Sequence, residues 1–168
     1  MKTLLLLRHA KAEAEAARGD KARALTARGC RDAAIMGWYL RGRGNRPDRI
    51  VTSRARRARQ TAAIVAAAAE FRRPVRAKRG LYYATPAALL RRVRRLPRQA
   101  ACVLLVGHNP DLEELAALLV GPGHPVPALP TAGLLPLDFD VPRWRDIRPG
   151  AARCGELQTP AALVADAG

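Results

Sequence analysis

Two uninterrupted apolar runs stand out along this chain, and each one stops at a histidine. Residues 4–7 are all leucine, follow Lys2 and Thr3, and end at Arg8-His9; residues 101–106 are wholly apolar and end at Gly107-His108. Short apolar runs without polar alternation mark strands buried on both faces, the condition of a parallel sheet held between helices. Between the two runs the period changes. Thr26 stands as a cap ahead of Cys30, Ala33, Ala34, Gly37, Trp38 and Leu40, whose three-and-four spacing predicts a helix with one buried face, ending near Gly42 to Gly44. Pro47 leads into the β-branched stretch Ile50-Val51-Thr52, and Ser53 precedes an alanine-rich segment that favours helix as far as about Glu70. Residues 74–77 make a short strand, and Thr85-Pro86 places a capping hydroxyl before a proline that opens a helix to about Leu96. After Asn109-Pro110 the segment 111–120 puts Leu112, Leu115, Ala116 and Leu119 on one helical side. Residues 121–130 read as loop, and residues 134–139 and 144–147 as strands about a turn at 140–142.

Strands alternating with helices predict an α/β fold, a three-layer α/β/α sandwich with a mostly parallel central sheet. Such sheets bind ligands beyond the carboxyl ends of their strands, where His9 and His108 are both expected. With 168 residues and 49% hydrophobic content, one domain over 1–158 is expected, with a tail over 159–168 prone to fray. The opening run, cut at Arg8, is too short for a secretory leader or a bilayer span, so the expected location is cytoplasmic, without a membrane partner.

Charge adds one competing picture. Thirty Lys and Arg against 14 Asp and Glu give +16, which attracts any polyanion. A basic polyanion-binding module is therefore an alternative of a different class. Aromatics at 4% give no stacking platform, and no helix-turn-helix or zinc-finger spacing is present, so no specific nucleic-acid partner is expected. Cys30, Cys102 and Cys154 are odd in number and widely spaced, which reads as idle thiols; no metal-ligand spacing and no cofactor motif appears.

Four segments carry a resemblance. Arg8-His9-Ala10 is similar to the Arg-His-Gly signature of the histidine phosphatase superfamily, and Val106-Gly107-His108-Asn109-Pro110 to its second histidine motif. The segment from Ser53 through Arg57, Ala58, Gln60, Thr61 and Ala62 resembles its Ser-Pro-x-x-Arg-Ala-x-Gln-Thr-Ala element, and Leu25-Thr26-Ala27-Arg28-Gly29 its Leu-Thr-x-x-Gly element. The four occur in the family's order. Length, the Arg8 to Ala12 wording and Leu129-Pro130-Thr131-Ala132 look most like the SixA-type phosphohistidine phosphatases. The resemblance implies a phosphoglycerate mutase-like fold and a metal-independent phosphatase. It also implies His9 as nucleophile, with Arg8, Arg57 and His108 completing a catalytic, phosphate-binding set.

The chemistry agrees with those residue types. A phosphoryl group in transfer spreads negative charge over its equatorial oxygens, so fixed cationic donors and an in-line nucleophile are what it needs. Arg8 and Arg57 offer forked, permanent charges, and a neutral His9 nitrogen can form a phosphohistidine that water then hydrolyses. His108, if cationic, would bind the same oxygens, and the amino end of the helix after Asn109 favours an anion there. Thr26, Ser53, Gln60 and His124 read as caps, structural contacts or surface. Two motif positions differ: Ala10 stands where glycine is usual, and Arg54, a charge expected near the mouth, where proline is usual. Most telling, residues 71–110 contain no Asp or Glu, the region in which ester-cleaving members carry their general acid, leaving Glu13, Asp20 or Asp111 as candidates. An acid-poor site suits a phosphoramidate such as phosphohistidine in a protein, with a small phosphate ester as the alternative substrate.

Overall fold

The two runs that end in histidine lie side by side. The structure is a computed structural model describing residues 1–42 and 46–166. In chain order its elements are β1 (Lys2–Arg8), α1 (Ala27–Gly42), β2 (Arg49–Ser53), α2 (Arg56–Ala68), β3 (Arg76–Lys78) and α3 (Pro86–Arg94), then β4 (Cys102–Gly107), α4 (Asp111–Val120), β5 (Leu134–Phe139), β6 (Arg153–Cys154) and α5 (Pro160–Ala165). The strands form one sheet in the order β3-β2-β4-β1-β5-β6. The first four are parallel, and β5 and β6 each run antiparallel to their neighbour.

Side chains of β1 and β4 alternate between two cores. Leu4, Leu6, Val103 and Leu105 pack under α3 and α4, while Leu5, Leu7, Leu104 and Val106 pack under α1 and α2. Burial on both faces explains why these strands read as unbroken apolar runs. Each fully buried leucine contributes about 1.5–3 kcal/mol of transfer free energy. On the α1 and α2 side, Gly37 lets the helices touch: a Cβ there would stand 2.5 Å from the Ala68 Cβ.

Several elements differ from the sequence expectation. Within α1 the buried stripe is Gly29, Ala33, Met36, Gly37 and Leu40, and Trp38, one step off that stripe, is 60% exposed. Residues 144–147 are not a strand. Trp144–Asp146 is a 3-10 turn, closed by Arg143 on Asp146 and fixed by Trp144 Nε1 donating to the Ala100 carbonyl at 2.7 Å. The burial of Trp144 and Ile147 produced the strand-like pattern, and Arg153–Cys154 takes the place beside β5 instead. The segment from Thr159 carries α5, because Thr159 Oγ1 accepts from Ala162 N and Pro160 occupies the first helical position. Part of the expected end of α1, at residues 43 and 44, lies outside the described residues, as do residues 167–168 of the tail. Among the described residues no helix is long and apolar enough to cross a membrane.

Candidate active site

Strand register brings the two histidines together. Arg8 pairs with Gly107 across the parallel β1–β4 ladder, so the next residue of each strand, His9 and His108, leaves the sheet at the same level. His9 N donates to the Gly107 carbonyl at 3.0 Å, and the two imidazole centroids stand 5.1 Å apart. Both rings are buried, His9 at 9% and His108 at 5% exposure. The third strand-end loop, after β2, delivers Arg57 from the first turn of α2. Of Arg54, Arg56, Arg57 and Arg59, only Arg57 is buried, at 4%, and Arg54 does not line the site cavity. Arg57 Nε donates to His9 Nε2 at 3.2 Å.

The hydrogen bonds of His9 decide its tautomer. Its Nδ1 lies 2.8 Å from the Ala10 carbonyl, an acceptor only, so Nδ1 carries the proton and Nε2 the lone pair. Burial is the main cause that lowers its pKa to about 4, with the charges of Arg57 and Arg8 adding to it. His108 falls to about 3, from burial first and then from His9 and Arg57. Both rings are therefore neutral near pH 7, which for His9 is the form that can attack. A cationic His108 is not the state of the free site.

Four buried polar atoms face no protein partner among the described residues: Arg8 Nε, His108 Nδ1, His108 Nε2 and Asn109 Oδ1. Buried polar groups are ordinarily satisfied, so orphaned nitrogens of Arg8 and His108 beside His9 mark a place for an anion. The remaining groups are held firmly. Arg8 Nη1 and Asn109 Nδ2 both donate to the Leu129 carbonyl, at 2.9 and 3.0 Å. Thr61 Oγ1 accepts from Ala10 N at 3.0 Å and donates to the Arg57 carbonyl at 2.7 Å, locking the chain after His9 to α2. Ala10 has no positive φ, so its place in a usual glycine position carries no backbone strain. Gly29 is the opposite case, since a Cβ there would stand 2.0 Å from the Lys11 carbonyl oxygen. Thr26 caps α1 by accepting from Gly29 N, Gln60 accepts from Leu25 N, and Ser53 from Ala55 N; all three are structural contacts.

The cavity over His9 is about 280 Å³, and it admits residues that no strand-end pattern announces. Asp20 Oδ2 pairs with Arg57 Nη2 at 2.9 Å, the Asp20 carbonyl accepts from Arg57 Nη1 at 2.7 Å, and Arg23 Nε donates to Asp20 Oδ1 at 2.8 Å. Tyr82 donates its hydroxyl to Asp20 Oδ2 and sets its ring edge-on to His108, 5.0 Å between centroids. These contacts, the Tyr82 hydrogen bond foremost, hold the Asp20 carboxyl well below the usual carboxylate range. Tyr82 itself is pushed up to about 12, by burial and then by Asp20. Of the candidate acids, Glu13 is exposed and outside the cavity. Asp111 is committed to Ala84 N at 2.8 Å. The pairing of Asp20 could not be read from sequence, because residues 13–25 have no periodicity. Tyr82 had a weak signal, as the residue that follows the buried Leu81. Among the described residues no three His, Cys, Asp or Glu stand together as a metal site would need.

The histidine phosphatase superfamily (branch 1) model matches residues 4–82. A protein assigned as phosphohistidine phosphatase SixA from Nakamurella multipartitia is 31% identical, with 95% of this chain and 96% of that one covered and a TM-score of 0.83. The chain belongs to the histidine phosphatase superfamily. The protein histidine phosphatase SixA complexed with tungstate shares its fold at a TM-score of 0.83, with 24% identity over 96% of this chain and 99% of that one. An uncharacterised protein of Mycobacterium tuberculosis (strain ATCC 25618 / H37Rv) is 32% identical over 162 residues, 92% of this chain and 99% of the relative. Superfamily membership and the SixA-like architecture together make this protein a phosphatase.

Proposed function

We propose that this phosphatase removes phosphate from phosphohistidine in a protein, through a phosphohistidine intermediate on His9. The observation that carries the mechanism is the tautomer of His9, whose protonated Nδ1 faces Ala10 and whose Nε2 lone pair faces the cavity beside Arg57. Substrate oxygens are bound by Arg8 and His108, whose nitrogens lack a protein partner, and by Arg57, whose guanidinium lines the same cavity. As they bind, Arg57 Nε exchanges His9 for a phosphoryl oxygen, which frees the lone pair. His9 Nε2 then forms a bond to phosphorus while the bond from phosphorus to the leaving imidazole nitrogen breaks, and that nitrogen takes a proton from water. A second water attacks the phosphorylated His9, releasing inorganic phosphate and returning Nε2.

The acids support this substrate class. Asp20, held ionised by its partners, is no ready proton donor for an alkoxide, and Asp111 gives one carboxylate oxygen to Ala84 N. An imidazole leaves without that help. The similarity to a protein assigned as phosphohistidine phosphatase supports the same reading. A panel comparing a phosphohistidine-bearing carrier protein with sugar phosphates and phosphoserine tests it: the phosphohistidine protein is expected to have the higher kcat/KM by at least tenfold. Faster turnover of a sugar phosphate would assign the enzyme to small esters instead.

A further inference from the structure

A second cavity, about 400 Å³, opens between α3 and the β3-β2-β4 part of the sheet and shares no lining residue with the site over His9. Its volume is in the range of small-molecule sites, roughly 300–1,000 Å³. The floor is aliphatic, built by Val51, Val103 and Leu105 from the sheet and Leu89 and Val93 from α3. The rim is cationic: Arg49, Arg76, Lys78, Arg92 and Arg95 surround it, and no carboxylate lines it. None of these five side chains makes a hydrogen bond or ion pair to another described residue. The nearest acid in sequence, Asp48, turns its Oδ2 to the backbone of Ala101 and Cys102.

Five cations around one cavity without a protein counter-charge repel one another, and an anion placed among them relieves that repulsion. The lining has no Ser, Thr, Asn, Gln or aromatic side chain, so nothing in it reads a nucleobase or a sugar. What the walls match is an apolar chain below and a negative charge above. We propose that this cavity binds a small amphiphile with an aliphatic chain and one anionic head group, the chain lying on the sheet and the head among Arg49, Arg76 and Arg92. The arrangement is independent of the phosphatase chemistry.

Decanoate, used below its micelle concentration, is the probe. Titration of the full chain, followed by calorimetry and by the methyl resonances of Leu89, Val93 and Val103, is expected to show one saturable site with those methyls shifting together. Affinity should fall at least tenfold in the Arg76→Glu/Arg92→Glu double variant, whose two positions are exposed. It should be unchanged in His9→Ala, and acetate should not compete. Several results would overturn the proposal: no saturable binding, equal binding of acetate, or binding that survives the double charge reversal. Hexaglutamate titrating the rim while decanoate leaves the methyls unmoved would give the cations to an acidic polypeptide. The absence of any saturable binding would leave the arginine stems as a cover over apolar floor and nothing more.

Discussion

Arg57 Nε points its hydrogen at His9 Nε2 across 3.2 Å, so in the free site the group proposed to bind phosphate also holds the lone pair of the proposed nucleophile. The contact leaves the lone pair on Nε2, the nitrogen proposed to react, and adds to the burial that keeps the imidazole uncharged. It predicts that Arg57→Ala loses twice over, in anion binding and in nucleophile orientation. A fall in kcat/KM of about 10²–10³-fold is expected, with a smaller loss in Arg57→Lys than in Arg57→Ala. Equal activity of the lysine variant and the wild type would show that the forked geometry is dispensable.

The pH profile follows from the same burial. His9 in the free enzyme titrates at about 4, so kcat/KM should stay level as pH falls from neutral and drop tenfold per unit only below that value. Stability moves with the same sign. Because both folded-state values, about 4 and about 3, lie beneath the ordinary imidazole value, the native chain binds fewer protons than the unfolded chain in that window. The contribution is complete above the unfolded value of about 6.5 and is lost as pH falls toward the folded ones. Thermal midpoints measured across this range should fall with acid, and less steeply in His108→Asn.

Asp20 lies on the Arg57 guanidinium, where on the proposed mechanism it would compete with phosphate. Asp20→Asn should therefore tighten inhibition by vanadate, by about 3–10-fold for an ion pair in which the acid is partly exposed. Tyr82→Phe keeps the ring against His108 and removes the hydroxyl from Asp20, so it should leave vanadate affinity near wild type. Weaker vanadate binding in Asp20→Asn would recast Asp20 as a support for Arg57.

Thr61 joins the backbone at Ala10 to the backbone at Arg57 through one buried hydroxyl. Thr61→Val keeps the shape and orphans Ala10 N, at a cost of about 1–3 kcal/mol. A lower denaturant midpoint with kcat reduced at saturating substrate is expected. A stability loss with kcat intact would confine Thr61 to the fold.

The sheet was legible because its central strands are buried on both faces, which leaves little freedom in residues 4–7 or 101–106. Their ends gave His9 and His108 for the same reason. Arg57 was harder to separate from Arg54, Arg56 and Arg59, yet Arg57, Thr61 and Val65 fall at four-residue steps on the buried side of α2. Trp144 misled because a 3-10 turn buries the same residues a strand would. Asp20 and Arg23 reach the site from the short 3-10 turn Asp20–Ala22 and its cap, and Tyr82 from the loop before α3, where contacts across the fold and not local periodicity decide the conformation.

Gly29 tests the coupling of the first helix to the chain after His9. A methyl group at this position meets the Lys11 carbonyl oxygen, so Gly29→Ala must push the chain just after His9. A loss of about 1–3 kcal/mol is expected from overpacking, read as a drop in the denaturant midpoint, together with reduced turnover. Unchanged stability would mean that the loop yields freely.

Phosphorylated His9 is the species on which the mechanism turns. Enzyme quenched in alkali during turnover, digested and read by mass spectrometry with phosphorus NMR, should carry one acid-labile phosphate on His9 Nε2, absent from His9→Ala. Phosphate on Nδ1 or on another residue, or wild-type turnover by His9→Ala, would contradict the account.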